Sequence, residues 1–182
     1  ILRFREEVIV LLGTLRFLGK MALELIGIKN HIIINPNFIV PPLEGIDTII
    51  LTHGHHKNCY LDSINEIKEK YASKVKELQI YGSKSVAKIH DSVEVNNIKE
   101  KKSIKLPNIQ IFPYKLSCEN AEECFAFVIV VDEEIKFLHT ANAIKFSDRI
   151  KNYANKIDYC FISCEKDHYE EYLDFLGFLF PK

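Results

Sequence analysis

Glycine is scarce in this chain, seven in 182 residues, and that scarcity argues against a glycine-rich loop that wraps a phosphate in backbone amides. Charge of one sign is also missing: 24 basic residues stand against 25 acidic ones. No global field draws the chain to nucleic acid or to an anionic membrane, so any basic site has to be local. Long apolar runs are absent too. The uncharged part of the opening segment, Val8 to Leu12, is shorter than a signal-peptide core and far short of the roughly 20 residues that span a bilayer. The five cysteines, Cys59, Cys118, Cys124, Cys160 and Cys164, lack the Cys-x-x-Cys spacing of a zinc ribbon. They read as thiols of a reducing compartment, which makes the cytoplasm the expected location. No Gly-x-Ser-x-Gly elbow supports a serine hydrolase.

What the chain does have is a β-type apolar run ending in histidines, Ile49-Ile50-Leu51-Thr52-His53-Gly54-His55-His56-Lys57-Asn58. On an extended backbone His53 and His55 leave the same side and converge, a geometry suited to a metal, whereas His56 points away. Upstream, Thr14–Leu18, Met21–Ile26 and His31–Asn35 read as an antiparallel meander. Pro36, Pro41 and Pro42 then impose a loop before a buried strand over Asp47–Leu51. Ile64, Ile67, Tyr71, Val75 and Leu78 recur at helical spacing behind a cap at Asp62 or Ser63. A strand at Leu78–Tyr81 and a short helix from Ser83 to His90 continue an alternation of strand and helix.

In the second half, Val93–Ile98, Ser103–Leu106, Ile109–Tyr114, Cys124–Val131 and Glu134–His139 alternate with a period of two. The last two are joined at Asp132-Glu133, and together these segments predict a second, largely antiparallel sheet. A helix capped by Ser147, a buried strand over Asp158–Ser163 and a helix opened by Asp167 follow. The expected class is α/β, a four-layer αβ/βα sandwich of two facing mixed sheets with helices outside. It forms one domain over 1–182, with 1–13 as an N-terminal extension. The chain starts at Ile1 without an initiator methionine, which leaves room for residues before it.

The histidine run resembles the metal-binding turn of the metallo-β-lactamase fold superfamily, which reads Thr-His-x-His-x-Asp-His. From Thr14 onward the chain is similar to the branch of metal-dependent hydrolases that includes L-ascorbate-6-phosphate lactonase-like proteins. Leu18-Gly19-Lys20, Ile34-Asn35-Pro36 and His139-Thr140-Ala141-Asn142-Ala143 stand where that branch shows a Gly-His pair, Ile-Asp-Pro and His-Ala-Gly-Asp-Thr. In that register the acidic positions hold Asn35, Lys57 and Asn142, the last histidine of the turn is Asn58, and a later histidine falls near Lys115 or Ser117.

Of the family's ligands only His53 and His55 are retained. A catalytic zinc needs about three protein ligands plus an open position. The resemblance therefore implies a degenerate di-metal site with no catalytic residue, no metal cofactor and no metal-dependent hydrolysis. The chain becomes a pseudoenzyme, a ligand-binding or assembly module. Lys20, Asn35, Lys57, Asn58, Lys115 and Asn142 would line a pocket for a small anionic ligand.

The alternative is a mono-zinc hydrolase of a small ester, lactone or phosphate-bearing substrate, using His53 and His55. His139, or Cys59 with Cys164, are the candidates for completing such a site. Neither nucleic acid nor membrane is an expected partner, and a homodimer is compatible with the assembly reading. His31, His90 and His168 carry no spacing argument and default to the surface.

Overall fold

The computed structural model describes residues 13–54, 61–89, 93–118, 121, 123–145, 148–163 and 166–180. The expected meander forms as β1 (Gly13–Gly19), β2 (Ala22–Gly27) and β3 (His31–Ile34). These strands pair antiparallel, with Leu23 opposite Ile34. After the proline loop, β4 (Thr48–Ile50) and β5 (Gln79–Gly82) add in parallel, followed at the edge by the short β6 (Asn96–Asn97). Assignment of Val93–Ile98 to the second sheet is thus corrected. The crossover helix α2 (Lys84–Ile89) returns the chain parallel to β5, so this segment closes the first sheet.

The second sheet has the order β11-β8-β9-β10-β12, with β7 (Ile104–Leu106) paired to β8. Its strands are β8 (Ile109–Cys118), β9 (Cys124–Val131), β10 (Ile135–His139), β11 (Ala143–Lys145) and β12 (Tyr159–Phe161). Asp132 and Glu133, at φ of 50° and 64°, are the central residues of the turn between β9 and β10, which Glu134 N closes by donating to Val131 O at 3.1 Å, with Ile135 opposite Val131.

Side-chain alternation divides the core into three layers. Leu23, Leu25, Ile32, Ile34 and Ile50 meet Ile109, Ile111, Phe125, Phe127, Ile129 and Phe137 between the sheets. Behind the first sheet, Ile33, Ile49 and Leu51 pack on Ile64, Ile67 and Val86. Behind the second, Ala126, Val128 and Leu138 pack on Ile150, Phe175 and Leu179. Helices therefore cover both outer faces, and the four layers are those expected.

Several local expectations are corrected. The helix α1 (Leu61–Glu66) widens into a π turn at Ile67–Tyr71 and stops at Ala72, because Tyr71 O accepts from Gly45 N and Ile46 N while Ser73 N donates to Ile46 O. Val75 is left 91% exposed instead of packing. The segment expected to form a helix around Ile150 is a single 3-10 turn, Ile150–Tyr153. In α3 (Tyr169–Leu179) the inward residues are Tyr172, Phe175 and Leu179, with Leu173 outside. Cys118 and Cys124 are joined as a disulfide, not thiols, which removes the compositional argument for a reducing compartment. No helix among the described residues is long and apolar enough to cross a membrane.

His31 is not at the surface. It is buried, and its Nε2 lies 2.8 Å from Oε1 of the fully buried Glu24, which also accepts from Leu43 N at 2.8 Å and pairs with Arg16. Burial by itself raises the Glu24 carboxyl, but the His31 hydrogen bond, the Leu43 amide and the charges of His31 and Arg16 together hold it below the ordinary carboxylate value.

Candidate functional site

Parallel and antiparallel pairing bring the sequence-predicted residues to one end of the sandwich. Lys20 turns between β1 and β2, Asn35 leaves β3, and His53 leaves β4, whose Ile50 is opposite Ile34. From the second sheet, Cys124 bridges to His53, and Phe125 N donates to Thr52 O at 2.9 Å. Lys115 is opposite Phe125, and His139 is opposite Phe127 one strand further on. His55, Lys57 and Asn58 lie outside the described residues, as do His56, Cys59, His90 and Cys164.

Asn35 is buried and adopts φ of 47°, a left-handed conformation that asparagine tolerates. Its Oδ1 accepts from Thr52 N at 3.0 Å, its Nδ2 donates to Thr52 Oγ1 at 3.0 Å, and Thr52 Oγ1 lies 2.8 Å from Nδ1 of buried His53. The amide is thus engaged with Thr52 through both of its atoms. Gly54 follows because a Cβ there would sit 2.8 Å from Ser85 C and 2.9 Å from Val86 N. Ser83 and Ser85, buried with their hydroxyls 2.6 Å apart, form that floor. No sequence motif singled them out, because their role arises only from the close approach of the two loops.

His139 does not present a metal-binding nitrogen. Its Nδ1 accepts from Ala141 N at 3.2 Å, and its Nε2 donates to Met21 O at 3.4 Å. Full burial pushes the imidazole down to about 4, so it is neutral at pH 7. It is a hydrogen-bonded core histidine. Together with Lys20, Met21, Leu23 and Phe161 it borders a cavity of about 240 Å3. Lys20 is exposed, its Nζ 3.3 Å from Asn37 Oδ1. Lys115 is also exposed, its Nζ 3.8 Å from Glu123 Oε1. Asn142 differs from both: its Oδ1 is buried and without a hydrogen-bond partner.

As to metals, the donor set among the described residues at this end is poor. Among the described residues no three His, Cys, Asp or Glu side chains come together, and Asn35, at the position where the resemblance implies an acidic ligand, is an amide engaged with Thr52. These residues do not fit a dinuclear centre, which relies on carboxylates to neutralise and bridge two cations.

No protein-family model and no curated protein sequence matches the chain. Solved structures do. A protein of Parabacteroides distasonis, provisionally named a metal-dependent hydrolase, superposes with a TM-score of 0.68 at 13% identity, over 85% of this chain and 70% of that one. The metallo-β-lactamase fold protein YhfI of Bacillus subtilis gives 0.61 at 16% identity, over 76% and 61%. The chain has the metallo-β-lactamase fold. CmlA of Streptomyces venezuelae, a diiron β-hydroxylase, shares it with a TM-score of 0.64 at 12% identity, over 82% of this chain and 34% of that one. The chain thus spans only part of each of these three solved chains. At these identities the likeness is one of architecture, and it matches the sandwich that the histidine run and its frame implied.

Proposed function

We propose that the protein is a metallo-β-lactamase-fold binding module with a degenerate di-metal site, which takes a small anionic ligand and carries out no metal-dependent hydrolysis. The observation that carries this reading is the commitment of Asn35. Where a metal enzyme needs a free carboxylate, the side chain is neutral and is occupied through both its amide atoms in holding Thr52 beside His53. Lys20 at the same end supplies positive charge, and Asn142 Oδ1, buried without a partner, is an acceptor for a donor group of the ligand. An orphaned buried acceptor is costly unless something satisfies it.

A second reading has one observation in its favour. Thr52 fixes the imidazole of His53 through Nδ1, the arrangement by which an outer group orients a histidine that binds metal through its other nitrogen. With His55 it would give a mono-zinc hydrolase of a small ester, lactone or phosphate-bearing substrate. Metal analysis of protein purified without chelator separates the two. Binding of inorganic phosphate without metal, lost in Lys20→Ala, supports the binding module. Stoichiometric zinc that disappears in His53→Ala supports the hydrolase and overturns the first reading.

A further inference from the structure

The face of the second sheet turned away from the first carries a second basic site. Phe112 and Tyr114 of β8 lie on that face, and Lys136 of β10 joins them through its partner Val130. The 3-10 turn packs Ile150 and Tyr153 over one side. Between them opens a cavity of about 570 Å3 bordered by Lys101, Lys136, Arg149 and Lys156, with no acidic residue among the described residues of its lining.

Arg149 Nη1 is 3.1 Å from Glu100 Oε1 at the rim, and Lys156 Nζ donates to Asn152 O at 3.1 Å. Among the described residues one of these four cations is paired with a carboxylate, and the described lining keeps a positive excess. Its wall is aromatic. The rings of Tyr114 and Tyr153 meet edge to face with centroids 5.9 Å apart, and Tyr114 OH donates to Tyr153 OH at 2.9 Å. Burial, then the bond to Tyr153, pushes the Tyr114 hydroxyl well up. It therefore remains a donor, and the proton of Tyr153 is left for another acceptor.

We propose that this cavity binds a nucleoside polyphosphate, with the base against the Phe112, Tyr114 and Tyr153 wall and the phosphates on Lys101, Lys136, Arg149 and Lys156. Its size falls within the roughly 300–1,000 Å3 of small-molecule sites. Arginine and lysine together suit phosphate oxygens, and aromatic faces suit a base whatever its identity. A simple polyanion would leave the aromatic wall unused. A nucleic-acid polymer would need a cationic track continuing past the cavity, which the balanced charge of the chain does not supply. The site is on another face from the His53 end, and the proposal is independent of the reading given for that end.

Calorimetric titration with ATP in EDTA tests it, alongside tripolyphosphate as a probe lacking the base and a short single-stranded oligonucleotide. One ATP is expected per chain, bound on the order of tenfold more tightly than tripolyphosphate, the scale of one base–aromatic stack. Lys136→Glu and Arg149→Glu should each abolish binding. Tyr153→Leu should bring ATP down to the affinity of tripolyphosphate, with the circular dichroism spectrum as control for folding in all three. Absence of ATP binding at millimolar concentration would overturn the proposal, as would equal affinity for ATP and tripolyphosphate. So would an oligonucleotide that outcompetes ATP, or ATP binding lost in Lys20→Ala but kept in Lys136→Glu.

Discussion

Replacing Asn35 by aspartate introduces a carboxylate at the position where the family resemblance implies one, and its effect follows from the hydrogen bonds around it. In the native chain Nδ2 donates to Thr52 Oγ1 and Oδ1 accepts from Thr52 N. Asn35→Asp keeps the second bond but turns the first donor into an acceptor, and it places a charge at a position 1% exposed. The Thr52 amide and hydroxyl can both donate to the new carboxylate, and burying its charge with those two donors alone should cost about 2–3 kcal/mol at pH 7. The folded-state pKa of the new carboxyl lies above its unfolded value of about 3.9. The penalty is therefore absent below pH ~4 and grows as pH rises toward the folded pKa. Urea unfolding of both proteins between pH 3.5 and 8, with and without zinc, measures it. The variant should match the wild type at pH 3.5, fall behind by pH 7, and gain nothing from zinc. A variant as stable as the wild type at pH 7, or one that zinc restores, would refute the claim that Asn35 belongs to the scaffold and not to a metal site.

Glu24→Gln removes the charge shared by Arg16 and His31 and should lower stability by about 3 kcal/mol at pH 7, since breaking a buried pair leaves its partners uncompensated. Because the Glu24 carboxyl is held below its ordinary value of 4.5, its contribution is present above that pH and is lost as pH falls through the folded value, so urea midpoints of the two proteins should converge as the pH is lowered below 4.5. Gly54→Ala drives a methyl into the backbone of Ser85 and Val86 and should cost about 1–3 kcal/mol; thermal unfolding reads the loss, and hydrogen exchange at Ser85 and Val86 should quicken. His139, pushed down to about 4 by burial, should show a neutral ring by NMR at pH 5. The stability that its neutral form contributes should decline as pH falls from about 6.5 to 4.

Much of the fold was legible because its strands are short apolar segments bounded by turn residues. Ile32 to Ile34 and Phe125 to Val131 are apolar on both faces, and they are the strands covered on both sides. Turn chemistry placed the β9–β10 hairpin at Asp132-Glu133. Where periodicity misled, a longer-range contact had intervened. Helical spacing runs on to Val75, but the 45–46 loop takes the carbonyl of Tyr71 and ends the helix first. His31 carries no motif, and only the pairing of β2 with β3 sets it beside Glu24.

The order of residues alone determined the class of the fold and the presence of amides at positions 35 and 142, because these depend on periodicity and on residue identity along the chain. Only the tertiary structure decided that Asn35 is bound to Thr52, that His139 is tied to backbone through both ring nitrogens, and that Lys101, Lys136, Arg149 and Lys156 gather around two tyrosines. These residues come from separate strands and turns. Hydrogen bonds and charge clusters depend on distances of a few ångströms, which the chain acquires only when two sheets close on a shared core.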